Sequence, residues 1–454
     1  MNTIAAIATA QASAGIGIVR ISGQKAIEIA DKVFVSASGK PLASRGGYCA
    51  ALGHVYDGTT KIDEAIALLF RAPKSYTGED VVELSGHGGP YIMSRILRAV
   101  LSAGAQPAQP GEFTQRAFLN GKIDLSRAEA IMGLIGAKGE AAREATLNVL
   151  DGSLSKEIKS AAAVLTKICA HLAVWADYPE EDIPELSDEK LFKSLRQVEK
   201  TLKKLLDSFD AGRAVIEGVD TVIVGKPNVG KSTLLNVLAG TEKAIVTPEA
   251  GTTRDIIEET VRVENTTLRL ADTAGIHEEA LSEIEKIGIQ RAIKRMQRAQ
   301  LVIVVLENSE ELTQGELELL KKAAMKKCVV AVNKTDKKAR LDIEQVKAVT
   351  ENIAFISASR REGIEELNSL ILRVLGTADF DTSQPVIITE RQRNCVSKAL
   401  ESVREALDAL SSEVTRDAVS VSLDDAVSKL LELTGENASE AVVNEVFRSF
   451  CVGK

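Results

Sequence analysis

Aromatic side chains make up only 4% of the 454 residues, with a single tryptophan. Proteins that grip nucleic acid by stacking on its bases need exposed rings, so stacking is not expected to be this chain's main way of holding it. Cysteine is sparse as well. Cys49, Cys169, Cys328, Cys395 and Cys451 are scattered, odd in number and include no Cys-x-x-Cys pair. Neither a disulfide framework nor a zinc site is expected, and a reducing cytoplasm fits. Met1–Arg20 lacks the basic start and continuous apolar stretch of a secretory signal, and no run is long and apolar enough to span a membrane. The terminus Cys451-Val-Gly-Lys454 does not fit a prenylation signal, because Gly453 is not aliphatic and Lys454 is not a usual ending. Excess positive charge is missing too. The formal net charge of -8 argues against a globally basic nucleic-acid binder and leaves room only for a local basic groove.

Hydrophobic residues supply 45% of the chain, enough for sizeable cores, over a length that suggests roughly three domains. Residues 1–120 mix short β-like runs, Ile16–Ile21 and Ile66–Phe70, with loop-like stretches at Ser75–Asp80 and Ser85–Pro90. They read as a small α+β domain. Residues 121–215 turn helical, with Ile158, Ala162, Leu165, Ile168 and Leu172 three or four apart. The acidic stretch Asp177–Pro184 interrupts that texture, which resumes at Leu191–Phe209 and is expected to end near Gly212. Residues 216–378 alternate helices with the apolar runs Val222–Val224, Leu268–Leu270, Leu301–Leu306, Val329–Val332 and Ala354–Ile356. That alternation predicts a mainly parallel sheet with helices on both faces. Helical texture returns over residues 379–454, including a stretch from Leu423 to Phe450. The expected fold is therefore a multidomain α/β protein: an N-terminal α+β domain and a helical domain into which a Ras-like phosphate-loop domain is inserted.

Gly225-Lys-Pro-Asn-Val-Gly-Lys-Ser232 matches G-x-x-x-x-G-K-[ST] between the run Val222–Val224 and a helical Thr233–Leu238. Glycines let backbone N–H groups approach phosphates, and a helix start adds a favourable dipole. Asn228, Val229, Gly230, Lys231, Ser232 and Thr233 are thus candidate phosphate contacts. Lys231 is expected on the β and γ phosphates and Ser232 on Mg²⁺. Asp272-Thr273-Ala274-Gly275 follows a second run, with Asp272 placed for Mg²⁺ through water and the Gly275 N–H for the γ-phosphate. Asn333-Lys334-Thr335-Asp336 follows a third. Asp336 can accept from guanine N1–H and N2–H₂, which adenine does not offer in those places, and Lys334 can cover the ring. The Ala358 N–H of Ser357-Ala358-Ser359 can donate to guanine O6. These elements in this order point to GTP rather than ATP, since a mismatched base would leave a buried carboxylate unpaired.

Where Ras-type enzymes carry a water-orienting Gln, this chain has Ile276. Another group must hold the water, and Glu278, Glu279, Glu283 and Glu285 lie just beyond. Ala244–Asp255 is rich in hydroxyls and carbonyls. Asn228 offers an amide oxygen that can ligate a monovalent cation lying between phosphates.

The chain resembles the MnmE (TrmE) family of tRNA-modifying GTPases. Beyond Gly251-Thr-Thr-Arg-Asp255, the resemblance rests on Gly17-Ile-Val-Arg20-Ile-Ser-Gly23, Ser75–Glu83, Gly86-His-Gly-Gly-Pro90, Pro110–Asn120 and Phe450-Cys-Val-Gly-Lys454. It implies a GTPase that modifies C5 of the wobble uridine of certain tRNAs together with an FAD-containing partner, MnmG, in a heterotetramer. It implies an N-terminal domain that dimerises and binds 5-formyl-tetrahydrofolate or a related one-carbon folate through Arg20, Glu83, Lys122 and Lys454. It also implies GTPase domains that dimerise with K⁺. The matching K⁺ ligands are Asn228, Thr247, Glu249 and Thr252, with Thr253 on Mg²⁺ and the γ-phosphate and Glu285 as the water-orienting residue. An Arg and two Lys suit a glutamate tail, and Glu83 suits a pterin N–H pair. Cys451 invites a nucleophile reading, but no neighbouring His or helix start is evident to activate it. It reads instead as a small pocket residue. His87 reads as a turn or pocket-shaping residue and His277 as solvated.

The main rival is a regulatory GTPase for ribosome or RNA assembly, without modification chemistry. Such proteins append a basic RNA-binding module, whereas the C-terminal helices here carry Glu432, Glu436, Glu440 and Glu445. A dimerising structural GTPase is the other, and the set Arg20, Glu83, Lys122 and Lys454 argues against it.

Overall fold

The computed structural model describes residues 1–177, 187–241, 259–270, 296–412 and 416–454. These residues fall into two compact units, Met1–Met132 with Leu430–Lys454, and Gly133–Lys429.

In the first unit seven strands, β1 (Ile4–Ile7), β2 (Ala14–Ser22), β3 (Phe34–Ser36), β4 (Cys49–Asp57), β5 (Thr60–Phe70), β6 (Val81–Gly88) and β7 (Gln106–Pro107), form one sheet in the order β3-β4-β5-β6-β2-β1-β7. Alternation sets its faces. Ala65, Ala67 and Leu69 of β5 are buried while Ile66 between them is 45% exposed. The helices Ala26–Val33 and Pro90–Ser102 bring Ile29, Met93 and Ile96 into the core on the buried face. Strand β2 lies antiparallel to β6, which puts Arg20 opposite Glu83.

The expected loop Ser85–Pro90 is instead the end of β6 and the start of a helix. Its glycines mark close approach rather than a turn. A Cβ at Gly88 would stand 2.7 Å from the Ala14 carbonyl oxygen, and one at Gly86 would stand 2.5 Å from an Asp63 carboxylate oxygen. His87 accordingly lies on a strand, its Nδ1 2.7 Å from Asp63 Oδ1.

In the second unit β8 (Val219–Val224), β9 (Glu259–Val263), β10 (Thr266–Leu270), β11 (Leu301–Glu307), β12 (Lys327–Asn333) and β13 (Ile353–Phe355) form a sheet in the order β13-β12-β11-β8-β10-β9. Every pairing is parallel except β9 with β10. The sheet is buried on both faces, as parallel sheets generally are. Leu301, Ile303 and Val305 enter one core and Val302, Val304 and Leu306 the other.

The helices Asp188–Asp207 and Phe209–Glu217 lead into β8. Helix thus continues past Gly212, contrary to expectation. This glycine sits inside a helix because a Cβ there would stand 2.5 Å from Val386 Cγ2. The C-terminal helical stretch is two helices, Arg416–Thr434 and Glu440–Arg448, separated by Gly435 at φ 93°. Within the described residues, no helix is long and apolar enough to cross a membrane.

Candidate functional site

The phosphate loop begins where β8 ends. Gly225 has φ 154° and Gly230 φ 99°, and a Cβ on either would collide, 2.3 Å from the Val305 carbonyl oxygen and 2.2 Å from Asn333 Nδ2 respectively. Asn228 takes the left-handed φ of 64° and is exposed. Helix Lys231–Thr241 starts directly after the loop, which puts a helix N-terminus at the end of the phosphate loop. Lys231 is 9% exposed, and its Nζ donates to the carbonyl oxygens of Gly225 (2.9 Å) and Lys226 (2.7 Å). The ammonium is thereby held inside the loop it is expected to serve. Val229 is buried, Ser232 half-buried and Thr233 exposed.

One buried amide ties this loop to the base-recognition loops. Asn333, at the end of β12 and 3% exposed, donates from Nδ2 to the Val229 carbonyl (2.8 Å). Its Oδ1 accepts from the Ala358 N–H (3.0 Å). The Ser357 hydroxyl donates to Asp336 Oδ1 (2.7 Å), and that bond holds the Asp336 carboxyl below its ordinary pKa. Asn228–Ser232, Asn333–Asp336 and Ser357–Ala358 therefore form one connected structure at the C-terminal ends of β8, β12 and β13, where ligands of open α/β sheets bind.

Two further ties were not legible beforehand. Lys226 Nζ lies 2.8 Å from Glu316 Oε2, a carboxylate that also completes the capping box with Thr313 at the start of helix Gln314–Ala323. Lys334 and Lys337 both pair with Glu307 at the end of β11, whose side chain is 8% exposed. Burial alone would raise the Glu307 pKa. Hydrogen bonds from Lys334, Ser309 and Lys337 outweigh it and hold the carboxyl down to about 2. The segment from Glu307 to Glu316 thus anchors both the phosphate loop and the base loop. An isolated acid carries no sequence signal of such a role.

In the first unit a second polar cluster gathers. Arg20 Nε is 2.8 Å from Glu83 Oε1 and its Nη1 donates to the Gly453 carbonyl (3.2 Å). The guanidinium lies over the Tyr76 ring (5.3 Å to its centroid) and over the Phe113 ring (5.5 Å), a cation–π arrangement. Tyr76 had no signal of its own. Burial raises its pKa, against the Thr114 hydrogen bond and the Arg20 charge. Lys122 is exposed and donates to the Pro73 carbonyl (3.1 Å), on the loop that carries Tyr76. Lys454 follows Gly453, whose φ of 99° and Cβ clearance of 2.3 Å to the Ile7 carbonyl admit only glycine. Cys451 is exposed.

Similarity to known proteins extends over both units. The family described as MnmE helical domain matches residues 125–451, and that described as GTP-binding protein TrmE N-terminus matches residues 3–122. The "tRNA modification GTPase MnmE" of Clostridioides difficile is 41% identical, covering 100% of this chain and 99% of its own. Proteins of the same name from Alkaliphilus oremlandii and Bacillus licheniformis are 41% and 39% identical, also over 100% of this chain and at least 99% of theirs. This chain belongs to the MnmE family of tRNA modification GTPases. The G domain of the T. maritima FeoB iron transporter, a solved structure, is similar over 34% of this chain and 98% of its own, at 28% identity and a TM-score of 0.26.

For a member of the MnmE family, several expected site residues fall outside the described residues: Thr247, Glu249, Thr252, Thr253, Asp272, Thr273, Ala274, Gly275 and Glu285, together with Ile276 and His277. Those within them divide between the two units. Asn228–Thr233, Asn333, Lys334, Asp336, Ser357 and Ala358 belong to the second, and Arg20, Glu83, Lys122 and Lys454 to the first.

Proposed function

We propose that this chain binds and hydrolyses GTP. With an FAD-containing partner of the MnmG type, it converts C5 of the wobble uridine of certain tRNAs to an aminomethyl or carboxymethylaminomethyl derivative. The observation that carries the nucleotide part is Asn333, which joins the phosphate loop to the guanine-specific loops through one buried amide. The rival reading, a regulatory GTPase of RNA assembly, has no use for the Arg20–Glu83 cluster.

The residues fit the groups such a reaction needs. Ser232, at the mouth of the loop, and Thr253 would hold Mg²⁺, which neutralises phosphate charge. Asn228 presents an amide that makes no hydrogen bond within the described residues, suiting it to K⁺ with Thr247, Glu249 and Thr252. Glu285 would orient the water in place of the Gln that Ile276 replaces. Arg20, Glu83, Lys122 and Lys454 would hold the folate. Glu83 spends Oε1 on Arg20, which leaves Oε2 for a pterin N–H. A homodimer is favoured by the sheet face that carries Val35, Leu52 and Ile66 exposed side by side on β3, β4 and β5. We assign residues 1–120 to folate binding and dimerisation, 121–215 and 379–454 to the helical domain and 216–378 to GTP, in a cytoplasmic protein.

Steady-state hydrolysis tests the reading. GTP should turn over at least a hundredfold more efficiently than ATP, and faster in K⁺ than in Na⁺. Equal use of ATP would remove the guanine assignment, and equal rates in the two salts would remove the K⁺ site.

A further inference from the structure

The helix Asp188–Asp207 carries more cations, six, than any other described element of a chain whose net charge is -8. Its six cations are Lys190, Lys193, Arg196, Lys200, Lys203 and Lys204; of its four acids, Asp188, Glu189 and Asp207 stand at the two ends and Glu199 alone lies among the cations. The periodicity separates two faces. Leu191, Leu195, Val198, Leu202 and Leu205 are buried, and all six cations are exposed on the other side. Lys193, Arg196, Lys200, Lys203 and Lys204 form a single ridge, running about 16 Å at 1.5 Å per residue. The one acid in it is already satisfied: Glu199 pairs with Arg196 at 2.9 Å and with Arg404 of helix Glu390–Ser411 at 2.9 Å. Lys204 donates to Gln384 (2.9 Å), whereas Lys190, Lys193, Lys200 and Lys203 have no partner among the described residues. Glu189 and Asp207 offset the charge at the two ends, but between Lys190 and Lys204 six cations face a single acid, and like charges spaced this closely repel one another, a cost that folding alone does not explain.

We infer that this ridge is a docking surface for the sugar–phosphate backbone of tRNA. The inference rests on the reading of the chain as a tRNA-modifying enzyme and supplies a surface which that reading does not specify. A lipid surface is the wrong occupant, because membrane-binding helices insert their apolar face and this one is buried in its own domain. Base readout is the wrong mode, because the ridge presents flexible ammonium groups and no exposed aromatic ring. Lysines neutralising phosphates position an RNA without reading its sequence, so the choice of tRNA is made elsewhere.

The test is the affinity of the full-length chain for an unmodified tRNA transcript across a salt series. It compares wild type with K190Q/K193Q/K200Q/K203Q and with K321Q/K322Q, which neutralises two exposed lysines of helix Gln314–Ala323. Glutamine keeps helix propensity, and circular dichroism checks folding. The ridge variant should bind at least tenfold more weakly at low salt. Its plot of log affinity against log salt should flatten by about 3, at about 0.7–0.9 for each phosphate that is no longer neutralised, while K321Q/K322Q matches wild type. Unchanged binding by the ridge variant overturns the inference, as does an equal loss in both variants. So does retained tRNA binding with lost association to the FAD-containing partner, which would give the ridge to that protein. If wild type binds no tRNA at low salt, it is the tRNA-modifying reading itself that fails.

Discussion

Asn333 is the residue on which the nucleotide site turns. It is 3% exposed, and both ends of its amide are used, one by the Val229 carbonyl and one by the Ala358 N–H. Asn333→Ala strands a buried acceptor and a buried donor, each costing about 1–3 kcal/mol. Fluorescent-nucleotide titration should show GTP affinity falling at least tenfold. Unaltered affinity would mean that the two loops hold their shape without this residue. Glu307 makes a different statement. Its folded carboxyl sits near 2 against an ordinary 4.5, so the unfolded chain binds its proton first as pH falls. Its contribution to stability is fully present above about pH 4.5 and is lost as pH drops toward 2. The difference in urea midpoint between wild type and Glu307→Gln should therefore be constant at neutral pH and shrink through that acid window. A pH-independent difference would place the effect in packing instead.

At the scale of elements, the strand–loop–helix β8, Gly225–Gly230 and Lys231–Thr241 does what its sequence announces. It was legible because glycines, a lysine and an apolar run occupy fixed spacings that physics demands of a phosphate cradle. Gly230→Ala should abolish measurable GTP binding while the helical segments keep their circular dichroism. The added methyl would stand 2.2 Å from Asn333 Nδ2 at a φ of 99°. Binding retained within twofold would show that the loop can shift around it. Other glycines misled. Gly86 and Gly88 looked like a loop and Gly212 like a helix stop, yet all three lie inside regular elements. Each answers to a neighbour distant in sequence, Asp63, Ala14 or Val386, and local pattern holds no record of such neighbours. Glu307 and Glu316 escaped notice for the same reason. Their partners Lys334 and Lys226 are brought to them only by the order β12-β11-β8.

At the scale of the molecule, the alternation of strands and helices announced the parallel sheet and the flanking periodicity announced the helices around it, whereas of the seven-stranded N-terminal sheet only the strands containing Ile16–Ile21 and Ile66–Phe70 were legible. What the pattern did not reveal was that Leu430–Lys454 belongs with Met1–Met132. There Phe447 and Phe450 pack with Phe118 and Leu125, and the Gly453 carbonyl meets Arg20. The guanine site organised by Asn333 is proposed to serve modification of the wobble uridine. Mass-spectrometric nucleoside analysis decides that point, on tRNA from cells lacking this protein, complemented with wild type or with Asn333→Ala. The expected result is loss of the C5-substituted uridine at the wobble position, restored fully by wild type and poorly by Asn333→Ala. An unchanged nucleoside profile in the cells lacking the protein would contradict it.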